Sequence, residues 1–256
     1  MLKPDLRREE IVSLARTSPE LSVESLAARF AVTTSTIRRD LARLSTEGRI
    51  ARTYGGVIAA RSHVEMSFEQ RSHEASDAKE AIAGRAATLV QPGDTVLLDA
   101  GTSCATLAHA LRTMRPLTVA TVGLGSLQAL ADADGVEVIS LGGQLRPLSQ
   151  GFVGALAEMA LERLTFDVCF LGTDAVSSER GICEASLEQI RLKELMVRVA
   201  ERVVVLAHSA KLDQRPFHAW IWPQDRWTLI TDSGVTDEQL RRFAARGVEV
   251  VVAEPA

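Results

Sequence analysis

The sequence predicts an α/β protein in two parts, a small helical N-terminal module followed by a larger domain built on a mostly parallel sheet. Three observations lead there. Short amphipathic helical patterns and a Gly-Gly turn fill the first 60 residues. Six aliphatic runs then recur between residues 95 and 230, most of them separated by helical patterns. Finally, aromatics make up only 4% of a chain that is 46% hydrophobic, so the core must rest on Ala, Val, Leu and Ile. That mix suits helices packed on a parallel sheet buried on both faces. A length of 256 residues accommodates both parts, expected at 1–60 and 78–256 with a polar connector over 61–77.

In the first module, residues 8–16 read as a helix with Ile11, Val12, Leu14 and Ala15 on its apolar side, broken by Ser18-Pro19-Glu20. Ser22 caps a second helix reaching Phe30, with Leu21 and Leu26 spaced as a hydrophobic staple. Thr33 caps a third helix over residues 34–44, and Val32 with Ile37 repeats the staple. Two short helices joined by a three-residue turn have helix-turn-helix proportions. At 100° per residue Ile37, Leu41 and Leu44 face Leu26 and Phe30, which leaves Ser35, Arg39 and Ala42 outward and Arg38 and Arg43 on the flanks. Arginines and small hydroxyls are what a major-groove reader presents, although a solvated basic helix face would look the same in isolation. The next segment tells the two apart. Residues 49–53, Tyr54-Gly55-Gly56 and residues 57–59 read as a hairpin, hence a wing that brings Arg49 and Arg52 to DNA. The candidate DNA-contacting residues are therefore Thr34, Ser35, Thr36, Arg38, Arg39, Arg43, Arg49, Arg52, Tyr54 and Gly55.

Charge distribution fits that assignment better than net charge does. The chain carries −4 overall, but residues 1–60 hold a net +3 and the remainder a net −7. Cys104, Cys169 and Cys183 are odd in number and widely spaced, so neither a disulfide framework nor a zinc knuckle can be built from them. The opening residues contain no apolar signal segment, and no stretch approaches the roughly 18 consecutive apolar residues of a membrane helix. A cytoplasmic protein is expected.

In the larger domain a helix is expected over residues 77–89, ended by Gln91-Pro92-Gly93-Asp94. The aliphatic runs are 95–98, 117–120, 136–141, 168–171, 203–207 and 228–230. Small and polar residues gather just beyond them: Asp99, Gly101, Thr102 and Ser103, then Thr121, Gly142 and Gly143, then Asp174, Lys211 and Asp232. Open α/β sheets bind ligands beyond the carboxyl ends of their strands. Gly101-Thr102-Ser103 opens a helix whose N–H groups can hold an anion, with Lys211 as countercharge. Each residue alone is equally compatible with an ordinary turn, cap or solvated charge. Their common placement at one sheet edge is the argument for a site.

Several strings along the chain resemble the DeoR family of bacterial repressors. They include Arg7-Arg8-Glu9-Glu10-Ile11, Thr36-Ile37-Arg38-Arg39-Asp40-Leu41, the Gly55-Gly56 wing, Leu98-Asp99-Ala100-Gly101-Thr102-Ser103, Leu141-Gly142-Gly143, Ser209-Ala210-Lys211 and Ile230-Thr231-Asp232. The resemblance implies a winged helix-turn-helix and a sensor domain resembling ribose-5-phosphate isomerase and coenzyme A transferases. It also implies a phosphorylated sugar-type effector, with phosphate near Thr102, Ser103 and Lys211 and sugar hydroxyls near Asp99, Asp174 and Lys193. The chain departs from the family pattern at Tyr54, where His is usual, at Ser103 (Thr), at Val122 (Asn) and at His208 (Asp).

The expected function is a transcriptional regulator, most simply a repressor, of a sugar or related carbon catabolic operon. Its partners would be double-stranded operator DNA, a phosphorylated metabolite and a second copy of the chain, since one module of net +3 contacts too few phosphates to bind tightly alone. Residues 187–200, with Leu192, Leu195, Met196 and Val199, suit either a subunit interface or the core. The rival reading is a sugar-phosphate isomerase-like enzyme carrying a DNA-binding domain. Asp99, Asp174, Glu184 or Glu188 would then have to supply acid–base catalysis, and no pair among them has a defensible spacing. The five histidines, His63, His73, His109, His208 and His218, form no metal-ligand spacing, and no cofactor is expected.

Overall fold

The computed structural model describes residues 4–17, 21–46, 50–53, 56–59 and 65–254. The chain forms two compact units, one ending at Glu65 and the other beginning at Met66.

The first unit contains helix α1 (Pro4–Thr17), strand β1 (Leu21–Ser22), helices α2 (Val23–Phe30) and α3 (Thr34–Thr46), and strands β2 (Ile50–Thr53) and β3 (Gly56–Ala59). The first helix starts four residues earlier than the periodicity predicts, because Pro4 is tolerated in the opening turn of a helix. Ser22 caps α2 by accepting the Ser25 N–H at 3.0 Å, as the sequence predicts. Ala31 takes a left-handed conformation (φ 51°) that ends α2 and lets the chain turn into α3. Thr33 accepts the Thr36 N–H at 3.3 Å at the start of α3. The three strands form an antiparallel sheet in the order β1-β3-β2. Strand β1 is two residues long, too short to show a period. Ile37, Leu41 and Leu44 pack against Ile11, Val12, Leu26, Ala27 and Phe30 in a single core.

In the second unit, α4 (Phe68–Ser72) and α5 (Ser76–Ala87) precede a sheet of seven parallel strands. The chain then runs β4 (Thr95–Leu98), α6 (Thr102–Leu111), β5 (Leu117–Thr121), α7 (Leu124–Leu130), β6 (Val136–Ser140), β7 (Gln144–Arg146) and β8 (Gly151–Val153). It continues through α8 (Ala155–Leu161), β9 (Phe166–Leu171), β10 (Ala175–Ser177), β11 (Gly181–Glu184), α9 (Leu187–Arg198) and β12 (Ala200–Leu206). It closes with β13 (Ala219–Ile221), β14 (Thr228–Asp232), α10 (Asp237–Ala244) and β15 (Glu249–Ala253). The seven strands order as β15-β14-β12-β9-β4-β5-β6, every neighbouring pair parallel.

Alternation along the strands explains the aliphatic runs. Val96 and Leu98 pack with Leu107 of α6 and Ile82 of α5, whereas Leu97 points to the other face, toward α8 and α9. Both faces are covered, so both strand parities must be apolar. Strand β15 is a seventh member where the runs predicted six. Phe68–Ser72, within the stretch read as connector, is a helix with a capping box between Ser67 and Gln70. Two small antiparallel sheets, β7-β8 and β10-β11-β13, were also unforeseen, being made of strands three or four residues long.

This order positions the ligand edge. The chain goes outward from β4 through β5 and β6, then returns to the other side of β4 to lay down β9, β12, β14 and β15. The reversal lies between β4 and β9, and the carboxyl ends there are Asp99 and Gly172.

Candidate functional site

In the first unit, Ser35, Arg38, Arg39, Ala42 and Arg43 of α3 are exposed on one side, and Thr34 and Thr36 are half-buried at its start. The Ser35 and Thr36 hydroxyls lie 2.8 Å and 2.9 Å from that of Thr33, which draws small polar groups together at the helix N-terminus. Arg52 lies on β2 opposite Val57 of β3. Arg49, Tyr54 and Gly55 fall outside the described residues. Sequence reasoning missed Asp40, whose string supplied the resemblance but not its role. It is buried, bonded to Arg7 Nε at 2.7 Å and to Arg8 Nη1 at 3.3 Å, and so ties α3 to α1.

In the second unit, the predicted residues at the carboxyl edge divide into two groups. Asp99, Lys193 and Thr121 are committed within the protein. Asp99 Oδ1 accepts the Ala100 N–H at 2.7 Å and Oδ2 accepts the Gly172 N–H at 3.0 Å. The Lys193 ammonium donates to Asp99 Oδ2, to the Gly172 carbonyl at 2.7 Å, and pairs with Glu184 at 2.9 Å. Burial opposes the Lys193 charge, yet Asp99 and Glu184 outweigh it and hold its pKa above the ordinary value. Burial pushes the Glu184 carboxyl up, with Lys193 opposing. The Thr121 hydroxyl donates to the Leu98 carbonyl at 2.8 Å and accepts the Gly123 N–H at 2.9 Å. Together these bonds lock the ends of β4, β5 and β9 at the reversal point.

The other group is more varied. Gly101 takes φ 121° and caps α6, a conformation suited to glycine. The first turn of α6 contains no acidic residue, and among the described residues the hydroxyls of Thr102 and Ser103 take no hydrogen-bond partner. Lys211, at the end of a short 3-10 turn, donates to the Thr173 carbonyl at 2.7 Å. Burial lowers its pKa, with Asp174 opposing. Asp174 pairs with Arg71 of α4 at 3.2 Å, and Arg71 also donates to the Leu148 carbonyl at 3.1 Å. Asp232 accepts the Ser209 N–H and hydroxyl at 2.6 and 2.8 Å. Burial opposes its ionisation, but these bonds and that from Gly234 hold its pKa below the usual range. Gly142 and Gly143 both have positive φ, and a Cβ on Gly143 would lie 2.5 Å from the Val153 carbonyl oxygen, so Gly143 is set by the close pass of β8.

Three features of this edge escaped the sequence reading. Lys79 is buried, and its ammonium donates to the carbonyls of Arg71 and Glu74, tying α5 to α4; burial, then Lys211, lowers its pKa to about 8. A cavity of about 370 Å³ opens beside α6, lined by Lys79, Thr102, Phe68, His109 and Gln128 among others, so Thr102 alone links it to the predicted contacts. Finally, of six buried polar atoms left without a partner among the described residues, four lie at or just beyond the strands' carboxyl ends. These are Ser126 Oγ, Ser149 Oγ, His208 Nε2 and Thr231 Oγ1. Buried unpaired groups are costly, so their concentration near one edge is unusual.

An exposed arginine-bearing second helix of a helix-turn-helix, with a small antiparallel sheet beside it in sequence and a parallel α/β unit after it, defines a DNA-binding transcriptional regulator. The chain belongs to the DeoR family: residues 7–63 match the DeoR-like helix-turn-helix domain and residues 74–233 the DeoR C-terminal sensor domain. It is 37% identical to an Escherichia coli O157:H7 protein named for transcriptional repression of the aga operon, over 96% of this chain and 93% of that one. It is 34% identical to the HTH-type transcriptional regulator GlpR of Haloferax volcanii, over 97% of each chain. The glycerol-3-phosphate regulon repressor of Escherichia coli K12 is 27% identical over 82% and 83%. Among solved structures, ribose 5-phosphate isomerase A from Neisseria gonorrhoeae aligns with TM-score 0.40 at 17% identity, over 54% of this chain and 53% of its own. Among the described residues no helix is long and apolar enough to cross a membrane.

Proposed function

We propose that this regulator is a cytoplasmic repressor of a sugar or related carbon catabolic operon, and that a phosphorylated sugar-type metabolite at the carboxyl edge controls its operator affinity. The observation that carries the reading is the open N-terminus of α6, with Gly101 in a left-handed conformation, two unpartnered hydroxyls and no acidic residue in the first turn. A helix N-terminus furnished in this way favours a phosphate. The name of one relative, a glycerol-3-phosphate regulon repressor, supports a phosphorylated ligand.

In this reading Gly101, Thr102, Ser103 and Lys211 hold the phosphate. Asp174 and Asp232 lie beside the sugar, with Gly142 and Gly143 shaping the rim. Asp99, Lys193 and Thr121 support the edge from behind. The DNA contacts are made by Thr34, Ser35, Thr36, Arg38, Arg39 and Arg43 of α3, and by Arg49, Arg52, Tyr54 and Gly55 of the wing. Two copies place two recognition helices in successive major grooves, and the metabolite shifts the balance by its differential affinity for the two arrangements.

We infer a sensor rather than an enzyme. Asp99, the carboxylate next to the anion cradle, accepts hydrogen bonds from Ala100, Gly172 and Lys193, and these tie it to the strand ends rather than leave it poised to take a proton from carbon. Lys211→Ala tests the assignment. Operator affinity without metabolite is expected to stay unchanged, and the response to sugar phosphate to disappear. A variant that still responds normally removes Lys211 from the site.

A further inference from the structure

His208 directly follows β12 and is 6% exposed. Its Nε2 has no hydrogen-bond partner among the described residues. The charged groups that act on the ring are engaged elsewhere or exposed. Asp232 gives its oxygens to Ser209 and Gly234. The Lys211 ammonium is held by the Thr173 carbonyl, and that of Lys79 by the carbonyls of Arg71 and Glu74. Glu74, the remaining charged neighbour, is exposed on the turn between α4 and α5. On the adjacent strand Thr231 carries a second buried hydroxyl without a partner.

An imidazole in this position is neutral. Burial and the flanking charges of Lys211 and Lys79 lower its pKa to about 4, against Glu74 and Asp232. A neutral ring offers one N–H and one lone pair and adds no charge. Pairing it with a phosphate as a cation would place a third positive charge beside two ammonium groups. An uncharged oxygen meets the ring without that penalty.

We infer that His208 is a specificity-determining residue of the sensor, its Nε2 hydrogen-bonding an uncharged hydroxyl or carbonyl oxygen of the metabolite while Lys211 holds the anionic end. The inference rests on the sensor function proposed above. It divides the ligand between two readers, with the phosphate read by α6 and Lys211 and the neutral oxygens by His208.

The test is calorimetry on the full-length protein, with inorganic phosphate alone and with glycerol 3-phosphate, ribose 5-phosphate and fructose 6-phosphate. His208→Ala is expected to bind inorganic phosphate like the wild type and to bind the tightest sugar phosphate about tenfold more weakly, the worth of one hydrogen bond. His208→Gln, whose amide nitrogen reaches the Nε2 position, is expected to recover most of that loss. The tryptophan fluorescence of each variant, which reports the second unit, checks that folding there is intact. Equal losses for phosphate and sugar phosphate, or no loss for either, would overturn the role given to His208 and leave the sensor standing. A wild type that binds no sugar phosphate more tightly than phosphate overturns it as well. Should wild type bind none of the four, the sensor function falls and this inference with it.

Discussion

Asp40→Ala isolates what holds the DNA-binding unit together. Asp40 is 5% exposed and Arg7 5% exposed, and their 2.7 Å contact, with the 3.3 Å contact to Arg8, joins α3 to α1 across 33 positions of sequence. Removing the carboxylate leaves a buried guanidinium without it, a change that typically costs about 3–5 kcal/mol. A unit of about 60 residues has roughly 3–9 kcal/mol of stability in total, so the variant should be largely unfolded in this unit near 37 °C. All three tryptophans, Trp220, Trp222 and Trp227, belong to the second unit, so their fluorescence reports that unit alone. The expected result is a low-temperature loss of helical circular dichroism, a tryptophan transition that does not move, and loss of operator binding. Asp40→Asn, which keeps the shape and some hydrogen bonding, should cost about 1–3 kcal/mol. An Asp40→Ala protein with wild-type melting and operator affinity would refute the clamp.

Arg39→Ala should do the opposite, leaving melting unchanged while weakening operator binding by about 1–3 kcal/mol, measured by anisotropy against specific and scrambled DNA. Gly143→Ala combines φ 112° with a Cβ 2.5 Å from the Val153 carbonyl oxygen, and should destabilise the second unit by at least about 2 kcal/mol in urea unfolding followed by tryptophan fluorescence. The His208 imidazole gives a pH prediction. Its pKa falls from 6.5 to about 4 on folding, so between those values the unfolded chain binds more protons and stability drops as pH falls. Between pH 7 and pH 5 the wild type should lose up to about 2 kcal/mol more than His208→Asn, and equal losses would contradict the burial argument.

What the sequence disclosed follows from period and parity. Strands buried on both faces announce themselves as aliphatic runs, and α3 announces itself through Ile37, Leu41 and Leu44 at helical spacing. Short pieces were silent. Two residues in β1 and three each in β7, β10 and β13 are too few to show a period. Contacts far apart in sequence were equally invisible. The Arg71–Asp174 pair spans 103 positions and the Lys193–Asp99 pair 94. Those contacts decide which polar residues of the carboxyl edge stand open. Thr121 and Thr102 both follow aliphatic runs, yet one hydroxyl turns back onto the backbone of β4 and the other is left without a partner beside the cavity.

The most direct test of the central claim is fluorescence anisotropy of the intact protein on the DNA upstream of its own gene, with and without sugar phosphates and their unphosphorylated parents. Salt-sensitive, sequence-specific binding that one phosphorylated compound alters, and its unphosphorylated parent does not, is the predicted result. Specific binding that no phosphorylated compound changes would contradict the sensor, and absence of specific binding would contradict the regulator itself.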